Sequence, residues 1–328
     1  MRTIKTETTV SHEEEQEEQT LRPVSFDGYI GQSAVKKDIE TYIKAASRHN
    51  ESLDHVLLYG PPGLGKTTLA GIIAESMGSK MTVTSGPAID KPGTLASLLV
   101  KLPENGILFI DEIHRLPKQV EEVLYPAMED REIDITIGKD DMQGKTMRVK
   151  LNHFTLVGAT TRAGMLSAPL RDRFGIVERL ELYSPKELAE IITRSAKILD
   201  IDIPPKAAVE IGKRSRGTPR IANRLLKRAR DYIDVNFDGD WNHVGEVLTA
   251  LGVDENGLDK NDRNYLDIIR NKFNGGPVGL STLSAALDED ADTIECSIEP
   301  YLIQRGMVEK TPKGRVVNKC WESFRTLD

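Results

Sequence analysis

Apolar positions in the first half of the chain fall into short unbroken runs separated by longer segments with helical spacing. His55-Val-Leu-Leu-Tyr59, Gly106-Ile-Leu-Phe-Ile110 and Phe154-Thr-Leu-Val-Gly158 are such runs. Leu69, Ile72 and Ile73 lie between the first two and repeat at the spacing of a helix face. Short apolar strands alternating with helices predict a parallel sheet covered on both faces, because a strand with one wet face alternates apolar with polar. Two segments do alternate, Ile133-Asp-Ile-Thr-Ile137 and Met147-Arg-Val-Lys-Leu151, on either side of the polar stretch 138–144. They predict a β-hairpin, assigned to residues 131–157, projecting from the domain.

The rhythm changes at Tyr183-Ser-Pro-Lys-Glu187. Serine as N-cap, proline at the first helical position and glutamate three residues after the cap form a capping box that opens a new helix. Helical spacing then runs to about residue 254, followed by the polar, Gly-containing segment 253–262. Beyond it, Tyr265, Leu266, Ile268 and Ile269 start a helix that Gly275-Gly-Pro277 stops, Leu280–Leu287 makes a second, and Ile294, Ile298 and Leu302 mark a third. Gly306–Lys310 and Arg315–Val317 frame a tight Thr-Pro-Lys-Gly turn. Three helices and a two-stranded wing describe a winged helix-turn-helix. The expected architecture is α/β: a tail at 1–20, a large domain at 21–183, a small helical domain at 184–254 and a winged-helix domain at 257–328.

The 328 residues, 39% hydrophobic and 29% charged, suit a soluble protein of two or three domains. No stretch approaches the roughly 18 apolar residues of a membrane span, and the N-terminus has no apolar signal core. Membrane-embedded and secreted classes are therefore excluded, and the cytoplasm is the expected location. Two cysteines, Cys296 and Cys320, build neither a disulfide framework nor a cysteine-rich metal site. The net charge of −7 hides asymmetry. Residues 1–20 set six glutamates against Arg2 and Lys5, an acidic tail with almost nothing to bury. Residues 211–230 carry eight basic residues and no acid, and residues 301–325 carry six against two. The first stretch reads as a solvated helix face, a subunit contact or a DNA contact; the second, within a winged-helix frame, points to a polyanion.

Gly60-Pro-Pro-Gly-Leu-Gly-Lys-Thr67 fits the phosphate-loop pattern at every fixed position. Its glycines turn backbone N–H groups toward phosphate oxygens, Lys66 adds a cation and Thr67 offers its hydroxyl to Mg²⁺. A strand precedes it and a helix follows, which puts a helix N-terminus at the anion. Asp111-Glu112 end the apolar run 106–110, where an acid on a neighbouring parallel strand is placed to hold Mg²⁺ and its companion to deprotonate the attacking water. Thr160-Thr161 follow another apolar strand, so a hydroxyl there is placed to sense the γ-phosphate or position the lytic water. Arg173 follows Pro169, in a turn from which it reaches outward. Arg220 sits in the first turn of a helix opened by Gly217-Thr-Pro219, with Thr218 as its cap, and is placed to close over the phosphates. The combination predicts a nucleoside triphosphatase.

With these strings in this order, the chain resembles the AAA+ ATPases, and among them the RuvB family of Holliday-junction branch-migration motors. The resemblance runs from Leu21 to about Phe324. It is carried by Tyr29-Ile-Gly-Gln32, the phosphate loop, Asp111-Glu-Ile-His-Arg115 and Tyr125-Pro-Ala-Met-Glu-Asp130. Further on it includes Gly158-Ala-Thr-Thr-Arg-Ala-Gly164, Leu170-Arg-Asp-Arg-Phe-Gly175, Arg216-Gly-Thr-Pro-Arg-Ile-Ala-Asn-Arg224 and Gly275-Gly-Pro-Val-Gly279. It implies an ATPase core with a helical lid and a winged-helix head, working as a hexameric ring on duplex DNA in recombination and repair. Leu21, Arg22, Tyr29, Ile30 and Tyr183 would line the adenine and ribose pocket. Gly63, Gly65, Lys66, Thr67 and Thr68 would hold the phosphates, with Thr67 and Asp111 on Mg²⁺. Glu112 would be the base, Thr160 or Thr161 the first sensor (Thr161 taken as the catalytic one) and Arg220 the second. Arg173 would enter a neighbouring subunit's site as an arginine finger, near Glu129, Asp130 and Arg131. The hairpin would dock on RuvA, with RuvC a further partner, and Lys310 and Arg315 would touch the DNA backbone. An AAA+ initiator or clamp-loader-like switch, and a protein-remodelling ATPase, share much of this pattern without translocating on DNA.

Overall fold

The computed structural model describes residues 19–137 and 145–318. Most of the acidic tail, the hairpin tip at 138–144 and the basic residues Lys319 and Arg325 lie outside the described residues. The large domain contains β1 (Val56–Tyr59), β2 (Met81–Ser85), β3 (Gly106–Asp111), the pair β4 (Glu132–Ile137) and β5 (Lys145–Lys150), β6 (Phe154–Thr160) and β7 (Ile176–Arg179). Its helices are α1 (Ser33–His49), α2 (Lys66–Ser76), α3 (Pro92–Val100), α4 (Lys118–Glu129) and the single turn α5 (Ala168–Arg171).

Five strands form a parallel sheet in the order β2-β3-β6-β1-β7. Alternate side chains go to opposite faces, as a pleated strand requires. Val56, Leu58, Ile107, Phe109, Val157 and Ala159 join one buried cluster with Leu69, Ile72 and Ile73 of α2. Leu57, Leu108, Ile110 and Leu156 join the other with residues of α3 and α4. Both faces being covered explains the unbroken apolar runs.

Two expectations change here. The sequence pattern put Asp111 on the strand beside the phosphate-loop strand, but β6 lies between β1 and β3. Local patterning specifies strands and not their order. The hairpin, expected over 131–157, ends at Lys150, which pairs with Glu132. Phe154, Leu156 and Val157 are buried in the central sheet instead, a place their apolar side chains would lose on a projecting arm.

The lid consists of α6 (Pro185–Ile198), α7 (Pro205–Arg214), α8 (Pro219–Asn236) and α9 (Val244–Ala250). Ser184 and Glu187 form the expected capping box on α6. Thr218 occupies the N-cap of α8, but its hydroxyl donates to the Ser215 carbonyl oxygen, which the tight preceding turn brings close, and accepts no N–H from the first turn of the helix. Buried lid residues such as Leu188, Ile192, Leu226 and Leu248 belong to the same cluster as the sheet face over α2, so lid and sheet share one core.

The winged-helix part has its own core around Tyr265, Leu283, Ile294 and Leu302. It contains α10 (Lys260–Asp267), α11 (Leu280–Leu287), α12 (Ala291–Thr293), a π-helical turn at Ile294–Ile298, α13 (Glu299–Gln304), and the wing strands β8 (Val308–Thr311) and β9 (Gly314–Val317). Among the described residues, no helix is long and apolar enough to cross a membrane.

Candidate nucleotide site and wing

The carboxyl ends of β1, β6 and β3 open onto one cleft, the position at which parallel sheets bind ligands. Gly60 follows β1 with φ 144°, and a Cβ there would lie 2.5 Å from the Leu180 carbonyl oxygen, so only glycine permits this approach. Gly65 takes φ 91° as the cap residue of α2, leaving the first N–H groups of the helix facing the loop. A Cβ on Gly63 would stand 3.3 Å from Cβ of Arg220, so loop and lid meet across the cleft.

Leu21, Arg22, Tyr29, Ile30, Gly63, Gly65, Lys66, Thr67, Thr68, Asp111, Glu112, Thr161, Tyr183 and Arg220 line this single cleft, residues drawn from the N-terminal segment, three strand ends and the lid. Tyr183 hydroxyl donates to Tyr29 Oη at 3.3 Å and reaches the Leu64 carbonyl oxygen at 3.4 Å. Gly31 makes this possible: with φ 77°, a Cβ there would press within 2.6 Å of the Tyr183 ring.

Of the two threonines left open by the sequence, Thr161 lines the cleft. Thr160 is fully buried, with its hydroxyl bonded to His114 Nδ1 at 2.9 Å and accepting from the Arg162 N–H at 2.9 Å. Successive residues at a strand end face opposite ways.

Lys66 is buried, and its Nζ donates to the carbonyl oxygens of Gly60 and Pro61 at 2.8 and 2.9 Å. Burial lowers its pKa to about 8, with nearby Arg220 pushing the same way and Asp111 opposing. A buried cation facing helix N–H groups is a site for an anion, and Thr67 with the Asp111 carboxylate is an oxygen donor set that suits a hard divalent cation. Bound phosphate favours charged Lys66, so its pKa rises in the complex and binding takes up a proton wherever the free lysine is partly neutral. Nucleotide affinity should therefore fall as pH rises above about 8, by up to about tenfold per unit. Calorimetry at pH 8.5 in buffers of different ionisation enthalpy should show this uptake, and Lys66→Arg should abolish it.

Glu112 has a left-handed backbone, φ 47°, uncommon for a residue with a side chain and typical of strain kept at functional sites. Its N–H donates to Asp111 Oδ1 at 2.9 Å, and its carboxylate pairs with Arg115 at 3.0 Å.

Arg173, Glu129, Asp130 and Arg131 do not reach this cleft. Arg173 does not point outward as expected from its turn: its Nη1 donates to the Pro169 carbonyl oxygen at 2.7 Å, its Nη2 lies 3.1 Å from Glu129, and it covers the Tyr125 ring at 4.6 Å. Arg131 reaches His153 Nε2 at 2.9 Å. These residues sit around the C-terminal end of α4.

Sequence reasoning missed Ile191, Arg194, Pro219 and Asn223, which also line the cleft. Arg194 donates to the Leu21 carbonyl oxygen at 2.9 Å and to that of Gly28, tying the N-terminal segment to α6. Asn223 lies three residues after Arg220, on the same helix face, a spacing that was available as a signal.

On the wing, Arg315 is 7% exposed, and its guanidinium bonds Glu299 at 2.8 Å and Glu295 at 2.8 Å. Glu299, itself 2% exposed, also accepts from Tyr265 at 3.0 Å. This pair is buried because Arg315 sits where β9 meets the Val278 backbone, inside the fold. Deleting Arg315 would strand a buried carboxylate at a cost of about 3–5 kcal/mol, so an Arg315→Ala variant tests folding more than DNA contact. Lys310 is exposed, but its ammonium lies 2.7 Å from Glu295. Lys310 first, then burial and Arg315, shift the Glu295 pKa, with a net lowering. Glu295→Gln should release Lys310 and tighten duplex binding by about threefold at low salt, with the gain fading as salt rises. Fluorescence anisotropy across a salt series measures this.

Comparison with known families matches residues 21–180 to the Holliday junction DNA helicase RuvB P-loop domain, residues 183–254 to the RuvB AAA lid domain and residues 255–322 to the RuvB C-terminal winged helix domain. Among solved structures, the Thermotoga maritima RuvB Holliday junction branch migration motor is 47% identical, with a TM-score of 0.85 over 94% of this chain and 99% of that one. Two mutants of that protein compare in the same way. One is 48% identical with a TM-score of 0.85, the other 47% with 0.84, each over 94% of this chain and 99% of its own.

Proposed function

From the premise that this chain belongs to the RuvB family of AAA+ ATPases, we propose that it hydrolyses ATP to drive branch migration of Holliday junctions. The observation that carries this reading is the convergence of Lys66, Thr67, Asp111, Glu112, Thr161 and Arg220 on one cleft, in a chain that ends in a winged helix.

The triphosphate lies along the loop between β1 and α2, held by backbone N–H groups, Lys66 and Thr68, with the base between the Leu21–Ile30 segment and Tyr183. Mg²⁺ held by Thr67 and Asp111 supplies charge neutralisation at the phosphates. Glu112 accepts a proton from a water molecule whose oxygen attacks the γ-phosphorus, while Thr161 orients that water. The bond to the β-γ bridging oxygen breaks, leaving ADP and phosphate. Arg220 reaches the phosphates from the lid, so the gap between lid and sheet follows the nucleotide.

Arg173 completes the site of a neighbouring subunit, with Glu129, Asp130 and Arg131 at the same interface, in a homohexameric ring around duplex DNA. The wing, through Lys310, grips phosphates and not base edges, since a translocating protein gains nothing from sequence preference. The hairpin β4–β5 docks on RuvA, and RuvC acts on the same junction, in the cytoplasm.

Migration of a synthetic four-way junction, with and without RuvA, tests the proposal. ATP-dependent strand exchange that RuvA strengthens is the expected result. ATP turnover stimulated by duplex DNA without any movement of the junction would instead mark a switch that does not translocate.

A further inference from the structure

We propose that the winged-helix domain positions both nucleotide sensors, through Arg162 and Arg216, so that ATP turnover depends on how one winged-helix segment is seated. The inference rests on the reading of the cleft as an ATPase centre.

Arg162 directly follows Thr161, the threonine in the cleft, and its N–H is fixed to Thr160 Oγ1 at 2.9 Å. Its Nη1 donates locally to Met165 Sδ at 3.6 Å, while the rest of the guanidinium reaches the winged-helix domain. Nε donates to Cys296 Sγ at 3.2 Å, and Nη2 lies 3.0 Å from Asp292 as an ion pair that is not aligned as a hydrogen bond. Arg216 stands at the other sensor, just before the Gly217-Thr-Pro turn that presents Arg220, and takes a left-handed backbone with φ 52°. Its Nη2 donates to the Ser297 carbonyl oxygen at 2.8 Å and lies 3.0 Å from Asp262, while its Nη1 lies 3.3 Å from Asp259. The same guanidinium sits 5.3 Å over the Tyr301 ring.

Two arginines from the sensor loops of two domains thus converge on one short helical stretch, at residues 292, 296 and 297. Residues 296 and 297 belong to the π-helical segment Ile294–Ile298, a geometry that recurs at functional sites, and Asp292 lies on α12 just before it. On the same stretch, Glu295 and Glu299 hold the wing residues Lys310 and Arg315. Residues 291–299 therefore contact both sensor loops and the wing cations Lys310 and Arg315. Asp292 is largely exposed, so its ion pair alone is weak, and the seat depends on the sulfur and carboxylate contacts together. A displacement of this segment by a fraction of an ångström moves the backbone that carries Thr161 and Arg220. Catalytic geometry is sensitive on that scale, while nucleotide affinity, spread over the whole loop, is much less so.

The test uses the full chain and measures kcat with and without duplex DNA, KM for ATP and duplex affinity in ADP. The double variant Cys296→Val with Asp292→Asn removes the seat of Arg162 and leaves the cleft untouched. Duplex-stimulated kcat should fall by about tenfold, less than the roughly hundredfold cost of a 1 Å misplacement, while KM and duplex affinity stay within about twofold. A second set replaces Arg162 with Asp, Asp292 with Arg, and then both: each single change should lose stimulation and the exchanged pair should recover part of it. Stimulation as in the unaltered chain, a loss shared equally by KM and kcat, or no recovery in the exchanged pair would each overturn the inference. An unaltered chain that turns over no ATP would instead bring down the reading of the cleft itself.

Discussion

Glu112→Gln is expected to leave nucleotide binding within about threefold of the original while slowing turnover by about 10²–10⁴-fold, the usual range for removing a general base. That loss corresponds to about 3–5 kcal/mol in the barrier. The substitution keeps the shape of the side chain and a partner for Arg115, which lies 3.0 Å from the carboxylate. It removes only the ability to take a proton from water. Binding should survive because the loop glycines, Lys66 and Thr67 are untouched and the backbone turn at Glu112 is unchanged. Phosphate release, followed with a coupled fluorescent probe, reports the turnover, and titration with a fluorescent ATP analogue reports the binding. Turnover at the original rate would remove Glu112 as the base.

The second large effect is expected from Arg173→Ala, which should lower ATP turnover of the assembled protein by about 10³–10⁵-fold, as an arginine finger acting between subunits does. The reason is positional. Within one chain Arg173 is held by Glu129, the Pro169 carbonyl oxygen and the face of Tyr125, away from the cleft that contains Lys66. On the proposed reading its contribution to catalysis is made in another subunit's site. Mixing Arg173→Ala with Glu112→Gln chains, each inactive alone, should restore measurable hydrolysis. About a quarter of the interfaces in randomly mixed rings combine an intact base with an intact finger. Silence across all mixing ratios would place Arg173 in a role confined to its own chain.

Much of the nucleotide site could be read along the chain because its physics is local. A strand, a glycine turn and a helix N-terminus are contiguous in Gly60–Thr67, and phosphate binding needs all three in immediate succession. The capping box at Ser184 and Glu187 and the wing turn at 311–314 are local in the same sense. Arg194 and Asn223 escaped notice because each faces the cleft only once the lid has folded over the loop.

Charge was the least legible feature. The basic stretch 211–230 looked like one surface, yet Arg214 is buried and bonded to Glu210 and to the Val253 carbonyl oxygen, Arg216 is anchored on the winged helix, and Arg220 lines the cleft. In the same way Arg315 resembled a free wing cation until Glu295 and Glu299 closed around it.

By itself the amino-acid order determined which segments form strands and helices, where the phosphate loop lies and which kind of head ends the chain, since periodicity and turn chemistry act over a few residues. Only the tertiary structure decided that β6 separates β1 from β3, that Thr161 and not Thr160 faces the cleft, and that Arg173 and Arg315 are held by carboxylates. Each of those outcomes depends on groups far apart in the chain meeting in space, and a charged side chain settles against whichever partner the packed fold brings within about 3 Å of it.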